Sequence, residues 1–146
     1  MKKHLIEAAE RGNAEAQFNL GVMHENAQDD NHYVVEGSRQ EAEQWFLAAA
    51  EQGLPRAQIK LAEMIAERSE NSESSLKEAC AWFLLATATL RGAQLEKAQS
   101  GYRRACSRLT PAQIAEVSHF AEGWKPGGPI VTAQADRLPI SNGKGP

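Results

Sequence analysis

Residues 8–25 read AAERGNAEAQFNLGVMHE and residues 49–66 read AAEQGLPRAQIKLAEMIA, with eight of eighteen positions identical at an offset of 41. The dipeptide Ala-Gln recurs at Ala16-Gln17, Ala57-Gln58 and Ala98-Gln99, 41 residues apart each time. A second unit repeats beside the first. SRQEAEQWFLAAA at 38–50 matches SLKEACAWFLLAT at 75–87 at seven of thirteen positions, with an offset of 37. The two offsets differ by four, so the loops that join the units differ in length. Self-similarity at this period marks a repeat architecture, in which each unit cannot bury its apolar face alone and stacked copies can.

Both units have helical periodicity. Ala16, Leu20, Met23 and Ala27 fall at i, i+4, i+7 and i+11, and the copy keeps Ala57, Leu61 and Met64 on that face. Ala42, Trp45, Phe46 and Ala49 form the stripe of the second unit, repeated by Ala79, Trp82, Phe83 and Ala86. Ser38 with Glu41 and Ser75 with Glu78 fit S-x-x-E capping boxes; Thr110-Pro111-Ala112-Gln113 makes a third, with proline at the first helical position. Gly12, Gly53 and Gly92 stand where left-handed residues end helices. The pattern predicts helices over 2–11, 14–26, 39–52, 55–68, 75–91, 94–108 and 111–124, and no strand. Small residues such as Ala16, Gly21, Ala50, Ala57 and Ala62 let axes approach, while Trp45, Phe46, Trp82 and Phe83 fill the gaps between pairs. Trp45 and Trp82 are expected in equivalent sites, and the stripe Ile114, Val117, Ala121 and Trp124 suits a final helix covering the open end.

Composition limits the function classes. The chain of 146 residues suits one domain. A net charge of −3 argues against a general nucleic-acid binder. The longest strongly apolar run, from Trp82 to Ala86, is far short of the roughly 20 residues of a membrane span. No apolar run follows Lys2 and Lys3, so no signal peptide is read. Cys80 and Cys106 are too few for a disulfide framework and adjoin apolar stripes. They are expected as inert core residues in a reducing cytoplasm; a redox pair would need Cα atoms within about 7 Å. Beyond Trp124 the composition turns rich in Pro and Gly. The division is therefore a helical domain over 1–124 and an extended or disordered tail over 125–146, with IVTAQADRLPI as a candidate linear motif.

The run AEAQFNLGVMHEN followed by EAEQWFLAAAEQG resembles a Sel-1-like repeat, a branch of the tetratricopeptide superfamily. The ending LTPAQIAEVSHFAEGWKP is similar to the terminal helix of many bacterial members. The family's Gly-x-Gly-Val turn and Asp between the paired helices are replaced by NAQDDNHYVVEG and ERSENSES. The resemblance implies an all-α solenoid of αα-hairpins coiled into a right-handed superhelix. It also implies a concave face that binds protein, adaptor or scaffold work, and no shared enzyme activity.

In such folds the first helix of each pair lines the concave face. The 41-residue register then brings Glu15, Phe18 and Val22 of the first copy, Arg56, Ile59 and Glu63 of the second, and Lys97, Arg104 and Arg108 of the third onto it. Two readings of the charges stand side by side. Glu63–Arg104 and Glu67–Arg108 are salt bridges between neighbouring helices, or the basic end receives carboxylates of a bound segment. No G-x-S-x-G, P-loop, H-E-x-x-H or C-x-x-C motif is present, so no enzyme and no cofactor is expected. His24, aligned with Ile65, is expected as a packed core residue and His119 as solvated; Asp29, Asp30 and His32 are a weak candidate for a divalent cation. The partner expected is another protein or peptide segment. The expected state is a monomer or weak homodimer, and the alternative function is a subunit that self-associates through the solenoid ends.

Overall fold

Seven helices follow one another through the computed structural model, which describes residues 2–26, 36–67 and 72–126. They are α1 (Lys2–Glu10), α2 (Ala14–Glu25), α3 (Glu36–Glu51), α4 (Pro55–Glu67), α5 (Glu73–Thr87), α6 (Gly92–Cys106) and α7 (Pro111–Gly123). Asp29, Asp30, His32 and the Pro/Gly-rich segment from residue 127 onward lie outside the described residues. Among the described residues there is no strand, and none of the helices is long and apolar enough to cross a membrane.

Local chemistry sets most boundaries. The Asn13 side chain accepts from the Ala16 N–H at 2.8 Å and opens α2. Gly12 and Gly53 adopt φ of 101° and 95°, left-handed values that let the chain reverse between α1 and α2 and between α3 and α4. Thr110 and Gln113 form a complete capping box ahead of Pro111, as the sequence predicts. Several expected ends move, among them both ends of α6, which spans Gly92–Cys106 and not 94–108. The N-cap of α5 is Ser72, whose hydroxyl accepts from the Ser75 N–H at 3.1 Å, so Ser75 lies in the first turn and Glu78 is buried inside the helix. Helix α3 begins at Glu36, ahead of the expected cap Ser38. Helix α5 stops at Thr87, and Gly92, at φ 64°, stands at the start of α6 rather than after the end of α5.

Helices α2 and α3 form one antiparallel hairpin and α4 and α5 the next; α1 packs on α2, and α6 on α5. The core runs through alanines on α3, α4 and α5 that expose no surface, with Phe46 and Trp82 filling the spaces between helices. Close approach depends on two glycines. A Cβ at Gly21 would stand 2.7 Å from the Phe46 ring, and one at Gly101 would strike the Phe83 ring. Phe46 and Phe83 are the same position of the WFL repeat.

Helix α7 covers the open end by packing on α5. Val117 is buried there, and Trp124 meets Trp82 edge-on with ring centroids 6.1 Å apart. Lys77, buried on α5, holds Glu116 of α7 at 3.0 Å and Glu73 of its own helix at 2.9 Å. Trp45 and Trp82 are therefore not equivalent. Trp82 has no exposed surface, whereas Trp45 is half-buried against the small cluster of Ala9, Ala16 and Leu20.

The cysteines also depart from expectation. Cys80 on α5 and Cys106 at the end of α6 are joined by a disulfide, with Cα atoms 5.3 Å apart and both side chains buried. The sequence reading fails here because the 26 residues between them cross a helix–helix turn, and only the antiparallel packing of α5 and α6 brings the two positions together.

Candidate groove on the first helices of the repeats

The residues named from the 41-residue register lie on α2, α4 and α6, except Arg108, which falls in the turn after α6 ends at Cys106, and the structure divides them into two groups. At the α2 end they satisfy one another. Arg56 pairs with Glu15, its counterpart one helix away, and its guanidinium lies 4.6 Å above the Phe18 ring. Phe18 in turn tilts against Phe46 with centroids 5.5 Å apart. Val22 is partly buried against the core. Ile59, expected as an apolar contact, is only 7% exposed and belongs to the core, because α4 is covered by helices on both sides. Lys60 of α4 bridges to Glu25 of α2 at 3.0 Å.

At the α6 end the arrangement is more open. A cavity of about 430 Å³ lies between α4, α5 and α6, lined by Glu63, Ala66, Glu67, Leu76, Ala79, Phe83, Gly101, Arg104, Ala105 and Arg108. The expected Glu63–Arg104 bridge is not formed. Glu63 faces Lys97 at 3.7 Å, while Glu67 is held by Arg39 of α3 at 3.0 Å. The register pairs residues of equal rank, but Lys97, two turns before Arg104, is the cation that faces Glu63. Arg104 makes no ion pair or hydrogen bond through its guanidinium with any described residue. These pairs are solvent-exposed, so each contributes only about 0–1 kcal/mol to folding.

Leu76, Phe83, Ala66 and Gly101 were not anticipated as site residues. The one available signal was Gly101, whose missing Cβ lets a phenylalanine of the repeated triplet approach its backbone. The other polar side chains are structural. His24 is 30% exposed rather than packed in the core, with Nδ1 3.2 Å from Glu41 across α2 and α3. His119 is exposed on α7, as expected. Among the described residues no group of three or more His, Cys, Asp or Glu side chains is placed to hold a metal ion.

The recurrent Ala-Gln has a separate use. Gln17 donates from Nε2 to the carbonyl of Ala9 at 3.0 Å, and Gln58 donates to that of Ala50 at 3.2 Å. Donor and acceptor both move by 41 residues, so each amide adds a second donor to a last-turn carbonyl that also accepts from the Gly12 or Gly53 N–H. The repeat is thus carried by a hydrogen bond as well as by apolar spacing.

The chain has no significant match among curated proteins or among solved structures. The Sel1 repeat model matches residues 14–54 and 55–88, which are the α2–α3 hairpin with the turn after it and the α4–α5 hairpin. Those matches span more than half of the chain, and with consecutive αα-hairpins joined at a 41-residue period they place it in the Sel1 repeat family, whose helical repeats generally mediate protein–protein interaction and are typically non-catalytic.

Proposed function

We propose that this protein is a non-enzymatic adaptor that holds a segment of a partner protein in the groove formed by α2, α4 and α6. The observation that carries this reading is the cavity between α4 and α6. It is an apolar recess at the basic end of a face that is otherwise closed by its own ion pairs. Lys97, Arg104 and Arg108 supply the basic side of the site, Glu63 its acidic wall, and Glu15, Phe18, Val22 and Arg56 its far end. Ile59 supports that face from beneath. Self-association through an apolar end is the weaker reading, since Met23, 40% exposed, is the only large apolar side chain exposed among the described residues.

The same reading extends to compartment. The cytoplasmic expectation rested on separate cysteines; a buried disulfide removes that ground and favours folding under oxidising conditions.

The test is affinity capture with mass spectrometry, followed by titration of the captured partner against the wild-type chain and a Lys97/Arg104/Arg108 triple-Ala variant. The three cations are exposed, so the variant should melt like wild type. Binding should weaken by about 2–4 kcal/mol through lost charge-assisted contacts. Unchanged affinity in a folded variant would move the site to the convex surface or to the C-terminal segment.

A further inference from the structure

The cavity between α4, α5 and α6 has a chemistry that specifies its occupant more closely than the groove as a whole. Its floor is apolar, built by Leu76, Ala79 and Phe83 of α5. Its two walls differ in charge, and the acidic wall is already neutralised. Glu67 is engaged by Arg39 and Glu63 by Lys97, so neither carboxylate calls for a cation from outside. On the opposite wall Arg104 is exposed and its guanidinium is without an ion pair among the described residues, with Arg108 in the turn just past α6. With Glu67 held by Arg39 and Glu63 by Lys97, the Arg104 charge stands in surplus beside a recess that has no cation in its floor.

From this charge surplus over an apolar floor we infer that the cavity is the anchor site of the proposed groove, and that it selects a partner segment carrying an apolar side chain next to an acidic residue. The apolar side chain, of Leu or Phe size, enters against Phe83 and Leu76 and loses its contact with water there. An Asp or Glu of the same segment stays at the mouth and accepts from the Arg104 guanidinium, whose planar donors suit a carboxylate. A basic neighbour is disfavoured by the same surplus. The inference rests on the adaptor reading above, and it adds which end of the groove holds the segment and by what chemistry.

The experiment uses the full chain and a phage-displayed library of random peptides as probe. Selected peptides are synthesised and titrated by fluorescence anisotropy against wild type and against Ala66→Trp, Arg104→Glu and Glu15→Arg. All three positions are exposed, and unchanged circular dichroism and melting confirm that each variant is folded. Ala66→Trp fills the cavity mouth, Arg104→Glu inverts the unpaired charge, and Glu15→Arg alters the far end of the groove. Selected peptides should share an apolar residue flanked by Asp or Glu. Their affinity should fall at least about tenfold with Ala66→Trp and with Arg104→Glu, and by less with Glu15→Arg at the far end of the groove. Peptides without an acidic preference would overturn the inference, as would a library that yields no binders. If Glu15→Arg weakens binding while the two cavity variants do not, the anchor site falls and the groove reading stands. If none of the three matters, both fall. Self-association measured by light scattering and lost in Ala66→Trp would give the cavity to a second copy of the chain, and would overturn the inference.

Discussion

The side-chain amide of Gln58 donates to the backbone carbonyl of Ala50 at 3.2 Å, across the turn that joins α3 to α4. The donor is buried, and its acceptor, in the last turn of α3, also takes the Gly53 N–H at 2.9 Å. Gln17 makes the same bond to Ala9, again eight residues back. In the third copy the bond is lost. Helix α5 ends at Thr87, so no helix end stands eight residues before Gln99, and Gln99 is exposed.

The three glutamines should therefore respond differently to truncation. Gln58→Ala removes one of the two donors to the Ala50 carbonyl, the Gly53 N–H at 2.9 Å remaining, and should cost about 0.5–1.5 kcal/mol. Gln17→Ala should cost a similar amount, including the Gln52 contact to its Oε1 at 2.8 Å. Gln99→Ala should stay within roughly ±0.5 kcal/mol. Urea melts of the three variants check the series. Equal losses at all three positions would show that the Ala-Gln recurrence reflects helix propensity and not this bond.

The disulfide gives the second expectation. Joining Cys80 to Cys106 closes a loop with a sequence separation of 26. Restricting the unfolded chain by a loop of that length stabilises the fold by about 3.5 kcal/mol in the chain-entropy account. Urea midpoints with and without reductant should differ accordingly, and a Cys80→Ala/Cys106→Ala variant should match the reduced protein. Alkylation of the oxidised chain in denaturant should label no thiol. Two labelled cysteines, or superimposable melts, would show that the pair is not formed.

How far these features could be read beforehand depended on whether the signal was local. The helices were legible because Leu20, Leu61, Trp82 and Phe83 fall on stripes of helical period, and because Gly12 and Thr110 act within four residues. The join of Cys80 to Cys106 was not legible, since it depends on how α5 and α6 pack after a turn of unknown geometry. Trp45 and Trp82 share a motif yet not an environment, because only Trp82 has α7 and Trp124 beside it. Ile59 was placed on the groove by register alone; burial by neighbouring helices overrode it. Of the groove, the charge types were visible in Lys97 and Arg104. The cavity was not, since its lining is assembled from α4, α5 and α6, whose packing no local signal encodes.

A third expectation concerns the attachment of α7. Hydrogen bonds from Lys77 and Gln113, with the Lys77 charge, hold the Glu73 carboxyl below its ordinary value of 4.5. Hydrogen bonds to Glu73 and Glu116 outweigh burial and hold the Lys77 ammonium above its ordinary 10.5. For the lowered carboxyl, the stabilisation is present above pH 4.5 and is lost as pH falls through the folded value. For the raised ammonium, it is present below 10.5 and is lost as pH rises through the folded value. The tie between α5 and α7 should thus hold across neutral pH and loosen at both extremes. In a Trp45→Phe background the emission of Trp82 and Trp124 reports α7 docking. It should be flat through neutral pH and shift on acidification, with a smaller acid shift in Lys77→Met. An identical acid profile in Lys77→Met would remove this cluster as the cause.

The last expectation sets two opposing effects of one substitution against each other. Gly21 and Gly101 lie inside helices, where alanine is favoured over glycine by about 1 kcal/mol through backbone entropy alone. Both would gain stability if the added methyl met open space. Neither does: at Gly21 it would stand 2.7 Å from a Phe46 ring with no exposed surface, and at Gly101 it would strike the Phe83 ring. Forcing a methyl into packed surroundings costs typically about 1–3 kcal/mol, so the clash should outweigh the propensity gain at both sites. Gly21→Ala should be purely a stability defect, since Phe46 is enclosed. Gly101→Ala should do more, because Phe83 forms the floor of the cavity and has to shift within it. Thermal melts of both variants, read beside peptide titration of the Gly101 variant, separate the two consequences. A Gly101→Ala protein more stable than wild type would mean that Phe83 yields freely and that the α5–α6 contact is looser than it stands here.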